Sequence, residues 1–168
     1  MNRGLFLRFF YRNPMQRDAA GLQAAVIHFL GIVRDADTNA SDTFRSVCDA
    51  LQNAGLSVPA NPMELTSQNP KITVMVIPHG STPGMLEDIC LTAVISDPAT
   101  PCMEQYFQCL QQLPSSLPKN MSKAKVHAFL ASRYEPDKRL GEAAKAGYWP
   151  WDNEAFATVK SFLQQIVS

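Results

Sequence analysis

Two aspartates separated by one residue follow an apolar run and are well placed to do chemistry. Asp35 and Asp37 come just after Ala25–Val33, whose β-branched content is typical of a strand buried on both faces. If the strand continues to Asp37, both carboxylates point to one side, because side chains alternate along a strand. Such close carboxylates repel unless a proton or cation lies between them, and oxygen ligands favour Mg²⁺ or Mn²⁺. The spacing predicts a divalent-cation site; the alternative is a turn in which Asp37 or Asn39 caps the next segment.

A second acidic pair begins a predicted helix. Glu87 and Asp88 lie in the first turn of a helix expected over 85–95, which follows a second apolar strand at 71–77. Because the carboxyl ends of parallel strands share one edge of a sheet, either acid is predicted to complete the cation site with Asp35 and Asp37. The alternative is that these acids only stabilise the helix dipole.

Basic residues concentrate between positions 119 and 145. Seven of the 15 basic residues fall there, against three acids. Lys123 and His127 share one helix face, since they are four residues apart. Such a patch is able to hold phosphates, and the alternative is a solvated outer face. The candidate phosphate or nucleic-acid ligands are Lys123, Lys125, His127 and Arg133.

Two tryptophans flank a proline shortly after this basic segment. Trp149 and Trp151 present aromatic rings that can stack on nucleic-acid bases. The alternative is a hydrophobic plug that closes the core in front of the last helix. The residue types alone leave both interpretations open.

Composition limits the classes of protein to consider. The chain has 168 residues, a net charge of zero, 46% hydrophobic residues and 18% charged residues, which is typical of a globular protein and predicts one domain over 1–168. No apolar run approaches the roughly 20 residues that span a bilayer, so no membrane span is predicted. Zero net charge argues against a purely electrostatic grip on nucleic acid. The charges are nevertheless segregated: residues 35–104 carry nine acids and two bases, and both flanking segments are basic.

The cysteines and the first residues give little sign of zinc or of a signal peptide. The four cysteines form no Cys-x-x-Cys pair and lie in predicted helices, which favours small core residues in a reducing cytoplasm. The first seventeen residues hold four arginines and no acid, and are predicted to be an ordinary first element, with a transit peptide as the alternative. No Gly-x-Ser-x-Gly elbow or phosphate-cradling glycine loop is present.

The elements that would position these residues alternate between strand and helix. The pattern predicts an α/β fold with a mostly parallel central sheet flanked by helices, followed by a helical part over 100–168. Capping residues are predicted at Ser41 or Asp42, Thr100, Ser122 and Asp152, with helix stops at Gly55 and Gly147. The predicted core face of the last helix consists of Phe156, Val159, Leu163 and Ile166.

Several segments together resemble a known group of proteins. The string Gly31–Asp37, followed by a predicted helix, is similar to the Asp-x-Asp motif of Toprim domains. With Pro83–Leu91, Lys123–Ser132, Leu140–Ala144 and Gly147–Trp149, residues 25–168 resemble an uncharacterised prokaryotic family with a Toprim-like fold. The broader group includes topoisomerases, primases and OLD-type nucleases. The resemblance implies a Toprim-like fold and magnesium held by Asp35 and Asp37.

The resemblance also implies an acid–base glutamate on an earlier strand, which this sequence does not match. Residues 1–24 contain no glutamate, so they are predicted to be a divergent N-terminal segment or to lack the first strand. The first hypothesis is a magnesium-dependent protein that transfers phosphoryl groups in nucleic acid or binds it. The second is a catalytically inactive Toprim-like binding or interaction module. A third is a truncated relic whose exposed sheet edge favours a homo-oligomer.

Overall fold

The computed structural model describes residues 27–79, 82–114 and 117–167. The described residues up to Met85, together with those from Val159 onward, form one compact unit, and Leu86–Thr158 form a second. The single domain expected over 1–168 stays a prediction, and the expected divergent segment 1–24 lies outside the described residues. None of the helices in the described ranges is long and apolar enough to cross a membrane.

The first unit contains two parallel strands joined through a helix. Strand β1 is Phe29–Asp35, helix α1 is Ala40–Asn53 and strand β2 is Lys71–Ile77. The strands pair in parallel from Phe29 opposite Lys71 to Asp35 opposite Ile77, which confirms the mixed α/β class and the parallel pairing. The ladder runs two residues past the apolar run Ala25–Val33 and ends two residues before Asp37. In the described residues the sheet has these two strands, so a wider central sheet stays a prediction.

The two ends of helix α1 are each explained by the conformation of one nearby residue. The Asn39 side chain accepts the N–H groups of Ser41 at 3.0 Å and Asp42 at 3.2 Å, so the caps predicted at those two residues are wrong. Asn39 has the extended backbone that a capping residue needs, whereas Ser41 and Asp42 already lie inside the helix. Gly55 follows with a φ of 69°, a conformation that glycine adopts without strain, which confirms the predicted stop.

One face of the sheet is covered by α1. Val47 and Leu51 on the helix pack in one buried cluster with Ile72 and Val74 of β2. These pairs are spaced by four residues on the helix and two on the strand, so each element presents one apolar face to the other. Burial of these side chains fixes α1 against β2, and thereby fixes the chain between β1 and α1.

On the opposite face, Gly31 lies against the end of helix α6, which spans Ala157–Val167. A Cβ atom at Gly31 would overlap the end of the Ile166 side chain and lie 3.1 Å from Phe162, so any larger residue here would force these side chains to shift. The predicted core residue Leu163 is wrong, because Phe162 is the fully buried one and Leu163 is 37% exposed. Both residues fit the helical spacing from Val159, so periodicity alone does not separate them.

A buried hydroxyl on β2 leads to a stability prediction. Thr73 is fully buried and its Oγ1 atom has no hydrogen-bond partner among the described residues. Because an unpaired buried polar group costs about 1–3 kcal/mol, we expect Thr73→Val to raise the free energy of unfolding in urea by about 1 kcal/mol. Thr43, whose hydroxyl donates to the Ala36 carbonyl at 3.3 Å, is the matched control, and Thr43→Val should not stabilise. Equal responses of the two variants would contradict this account of Thr73.

The second unit is a helical cluster. It comprises α2 (Leu86–Ala93), α3 (Ala99–Gln111), α4 (Met121–Ala131), α5 (Leu140–Lys145) and a 3₁₀ turn (Glu154–Phe156). The helical character predicted after residue 100 is confirmed. The largest buried side chains of its core are those of Met103, Phe107, Phe129, Leu130, Trp149 and Phe156.

The helix caps predicted in this part of the chain are wrong. Thr100 and Ser122 already lie inside α3 and α4, and the hydroxyl of Thr100 instead donates to a backbone carbonyl six residues earlier. Asn120 caps α4 by accepting an N–H three residues on, and Asn153, not Asp152, caps the 3₁₀ turn. In both corrected cases the asparagine stands one residue before the first helical residue, where its side chain reaches the free amides.

Candidate functional site

The chain turns sharply between the two aspartates of the predicted cation site. Strand β1 ends at Asp35, and Asp37 has a φ of 49°, in the left-handed region. The N–H of Asp37 donates to the Gly84 carbonyl, and the Gly84 N–H donates to the Asp37 carbonyl, both at 2.9 Å. The strand therefore does not extend to Asp37, and the alternation that predicted two carboxylates on one side does not apply to the exposed Asp37.

The residues around this turn are held by backbone contacts. Ala36 is fully buried, and its N–H donates to the Ile77 carbonyl at 2.7 Å, at the end of β2. Two residues past Asp37, Asn39 caps α1, so the alternative of an Asp- and Asn-rich capping turn is confirmed for Asn39. The turn thus has a structural role independent of any ligand.

A metal at this position would rely mainly on water. In the three described ranges, no group of three or more His, Cys, Asp or Glu side chains is arranged to hold a metal ion. Mg²⁺ usually keeps several waters and takes one or two carboxylates, so Asp35 and Asp37 have the right chemistry for the protein's share of such a site. The Mg²⁺ or Mn²⁺ site therefore stays a prediction.

Glu87 and Asp88 lie in the first turn of α2, as predicted. The carboxylate of Asp88 accepts a hydrogen bond from the Ser122 hydroxyl on α4, which is a contact within the second unit. Burial, with a further contribution from the Glu87 charge, raises the pKa of the Cys90 thiol to about 12, so Cys90 stays protonated and is a poor nucleophile. The positions suit the helix dipole, and the role of these acids at a metal stays a prediction.

Two of the four candidate phosphate ligands form ion pairs with acids of the same unit. The Lys125 ammonium contacts both carboxylate oxygens of Glu104 at 2.7 Å. The Arg133 guanidinium binds both carboxylate oxygens of Asp97, at 2.8 and 3.1 Å. Acids from the middle of the chain therefore neutralise part of the basic segment. The sequence does not reveal these pairs because their members are far apart along the chain.

The Arg133 side chain is held from a second direction. Its guanidinium lies over the Phe129 ring, 4.1 Å from the ring centroid. The hydrogen bond from Arg133 is the main reason that the pKa of Asp97 lies below its usual range. This arrangement favours a structural role for Arg133.

The remaining two candidates, Lys123 and His127, are exposed on α4. They lie four residues apart on one face, as the spacing predicted. Two exposed side chains are compatible with a phosphate contact and equally with a solvated face, so the structure leaves their role as a prediction.

The two tryptophans occupy different environments. Trp149 is 2% exposed, stacks on Phe129 with ring centroids 5.5 Å apart, and donates its indole N–H to the Leu140 carbonyl. Trp151 is 43% exposed and contacts Phe156 at 4.6 Å between centroids. The hydrophobic-plug interpretation is therefore confirmed for Trp149, and it leaves Trp151 as the one accessible ring of the pair.

Comparison with protein families identifies a relationship over most of the chain. Residues 11–168 match the family described as "Protein of unknown function (DUF3226)". The chain belongs to the DUF3226 family. No curated protein and no solved structure gave a match. The predicted membership of an uncharacterised family is confirmed at this level, and the relationship of DUF3226 to Toprim domains stays a prediction.

A cavity that the sequence analysis missed lies within the first unit of this DUF3226 protein. Its volume is about 710 Å³, and it opens between the first half of α1, the loop around 58–62 and the end of β2. The only local sequence signal is the pair Pro59 and Pro62, which marks a rigid loop but not what it faces. Among its lining residues are Ser41, Phe44, Arg45, Pro59, Val76 and His79.

Proposed function

We propose that this DUF3226 protein is a catalytically inactive, Toprim-like binding or interaction module of the reducing cytoplasm. The Toprim-like motifs and the parallel pairing of β1 with β2, with the Asp-x-Asp string at the carboxyl end of β1, support the fold. The four free cysteines support the compartment. The observation that carries the inactive assignment is the turn at Asp37.

That turn matters because phosphoryl transfer depends on a metal whose position is fixed before the reaction. On a continuous strand, Asp35 and Asp37 would be fixed side by side by the pleat. Here Asp37 follows the strand, is exposed, and is tied through its backbone to Gly84. The direction of its carboxylate is therefore set by the side-chain rotamer and not by the strand. Such an arrangement is more typical of a capping turn than of a preorganised metal centre.

The ion pairs on the second unit point the same way. Lys125 and Arg133 already form ion pairs with Glu104 and Asp97, so a phosphate would compete with a carboxylate at each of them. Nucleic-acid affinity rises with the number of phosphates that cations neutralise, and Lys123 and His127 alone provide little of it. We therefore expect at most weak binding of nucleic acid, with a shallow dependence on salt concentration because few phosphates are neutralised.

The second candidate is magnesium-dependent phosphoryl transfer on nucleic acid. It is favoured by the position of Asp35 at the carboxyl end of β1, opposite Ile77 of the parallel strand, since ligand sites in α/β proteins lie at this edge. Asp35 and Asp37 would hold the ion, which when bound would stabilise charge on the phosphate and activate water. Lys123 and His127 would contact the backbone phosphates.

One cleavage experiment separates the two candidates. The full chain is incubated with labelled single- and double-stranded DNA and RNA in Mg²⁺ or Mn²⁺, beside the double variant Asp35→Asn with Asp37→Asn. The matched control is Asp137→Asn, an exposed acid in the second unit. The inactive module predicts equal, background cleavage for all three proteins. Cleavage that is lost only in the double variant would overturn it in favour of the second candidate.

Light scattering of the same three proteins tests the predicted homo-oligomer.

A further inference from the structure

The cavity beside α1 has the size and position of a small-molecule site. Its volume of about 710 Å³ falls within the roughly 300–1,000 Å³ typical of pockets that bind small organic ligands. Val76 and His79 line it at the carboxyl end of β2, and Ala40 and Ser41 line it where α1 begins. This is the edge of an α/β sheet at which ligands are generally bound.

The wall of the cavity is largely apolar and well supported. Val76 packs in a buried cluster with Ala40, and Phe44 packs against that cluster from α1. Pro59 is buried in the loop opposite, where its ring has a fixed backbone angle. The Phe44 ring and the proline present rigid surfaces on which a flat ring can lie with little loss of conformational entropy.

The charged side chain that lines the cavity is basic. Arg45 and His79 are among the described lining residues, and none of those residues is acidic. Arg45 contacts Asp42 at 3.3 Å through one terminal nitrogen, and both side chains are largely exposed. Such an exposed pair is weak and leaves other guanidinium donors for a ligand.

We propose that this cavity binds small aromatic anions. The ring of the ligand lies against Phe44 and the 58–62 loop, and its phosphate or carboxylate group faces Arg45 and His79. This site goes beyond the proposed function, because neither Asp35 nor Asp37 is among its described lining residues and it requires neither a metal nor turnover. It also gives the module a ligand class that nucleic-acid cleavage assays do not probe.

Calorimetry on the full chain with four probes tests the ligand class. Adenosine monophosphate and indole-3-carboxylate carry a ring and an anion, adenosine carries the ring alone, and inorganic phosphate carries the anion alone. We expect one of the two aromatic anions to bind at one site per chain with a Kd below about 1 mM. Adenosine and phosphate should each bind at least about fivefold more weakly than that anion.

Three variants test the location. Ala60→Trp places a large side chain on the exposed rim of the cavity and should abolish binding. Arg45→Gln should weaken it about fivefold, the size of an exposed ion pair, and Lys119→Gln, an exposed lysine outside the cavity, should not change it. In a background in which the exposed Cys102 and Cys109 are serine, the aromatic anion should also slow the modification of Cys48, which lines the cavity.

Four outcomes would overturn the proposal. The first is that neither aromatic anion binds with a Kd below about 1 mM, and the second is that adenosine or phosphate binds as tightly as the anion that carries both groups. The third is that binding survives Ala60→Trp. The fourth is that Arg45→Gln and Lys119→Gln have the same affinity for the aromatic anion. None of these results depends on whether the chain cleaves nucleic acid. The proposal of an inactive module can therefore fail while the ligand-binding proposal holds, and the ligand-binding proposal can fail while the protein is inactive.

Discussion

Replacing Trp149 by alanine is expected to lower the free energy of unfolding by about 4 kcal/mol. The indole is 2% exposed, stacks on Phe129 and donates its N–H to the Leu140 carbonyl, so its removal leaves a large cavity and an unpaired backbone acceptor. Urea denaturation followed by far-ultraviolet circular dichroism measures the change without relying on the fluorophore that is removed.

Trp151 provides the control from the same three-residue motif. It is 43% exposed, so Trp151→Ala should cost less than about 1 kcal/mol. Losses of similar size in the two variants would show that Trp149 is not the residue that closes the core of the second unit. The pair thus separates the plug from the exposed ring, two roles that the sequence assigns to both tryptophans alike.

Arg133→Ala is expected to cost about 2–3 kcal/mol. The substitution leaves the partly buried Asp97 carboxylate without its bidentate partner and removes the guanidinium from the Phe129 ring. Both charged side chains retain some exposure, 21% for Arg133 and 26% for Asp97, which keeps the loss below that of a fully buried pair. The exposed pair Arg45–Asp42 is the matched control, and Arg45→Ala should cost less than about 0.5 kcal/mol. Equal costs would refute a special role for Arg133.

The same ion pair predicts a pH dependence. The hydrogen bond from Arg133 lowers the pKa of Asp97 in the folded state, so the folded protein holds this carboxylate ionised more strongly than the unfolded chain does. The resulting stability is complete above the unfolded pKa of about 3.9 and is lost as the pH falls through the lower folded pKa. In urea titrations, the stability difference between the wild type and Asp97→Asn should therefore be constant near neutral pH and shrink below about pH 4. A difference that grows on acidification would contradict the assignment.

Local features of the fold could be predicted because their causes are local. The β-branched run at Lys71–Ile77 predicted a strand with the observed bounds, and Gly55 and Gly147 end their helices with positive φ angles of 69° and 74°. Helix caps were harder, because several Ser, Thr, Asn and Asp residues stand near each helix start. Moving the helix start by one residue changes which of these side chains is the cap, as Asn39 and Asn120 illustrate.

The candidate site was predictable in position but not in geometry. Asp35 lies at the predicted sheet edge, whereas the turn at Asp37 arises from a backbone pairing with Gly84, which is 47 positions away in the sequence and outside any local window. The same applies to Arg133 and Asp97, which are 36 residues apart. The distribution of charge along a sequence shows where basic side chains are frequent. Which of them form ion pairs with carboxylates depends on tertiary packing.

The close packing at Gly31 has a consequence for the order in which the molecule is completed during synthesis. The ribosome makes β1 and β2 early, but Phe162 and Ile166, which cover Gly31, leave it only after all of Leu86–Thr158 has been made. Domains generally fold as units as the chain emerges. The helical unit therefore has every residue it requires before the strand-containing unit does, and until synthesis ends the nascent β1–β2 pair lacks the two side chains that pack on Gly31.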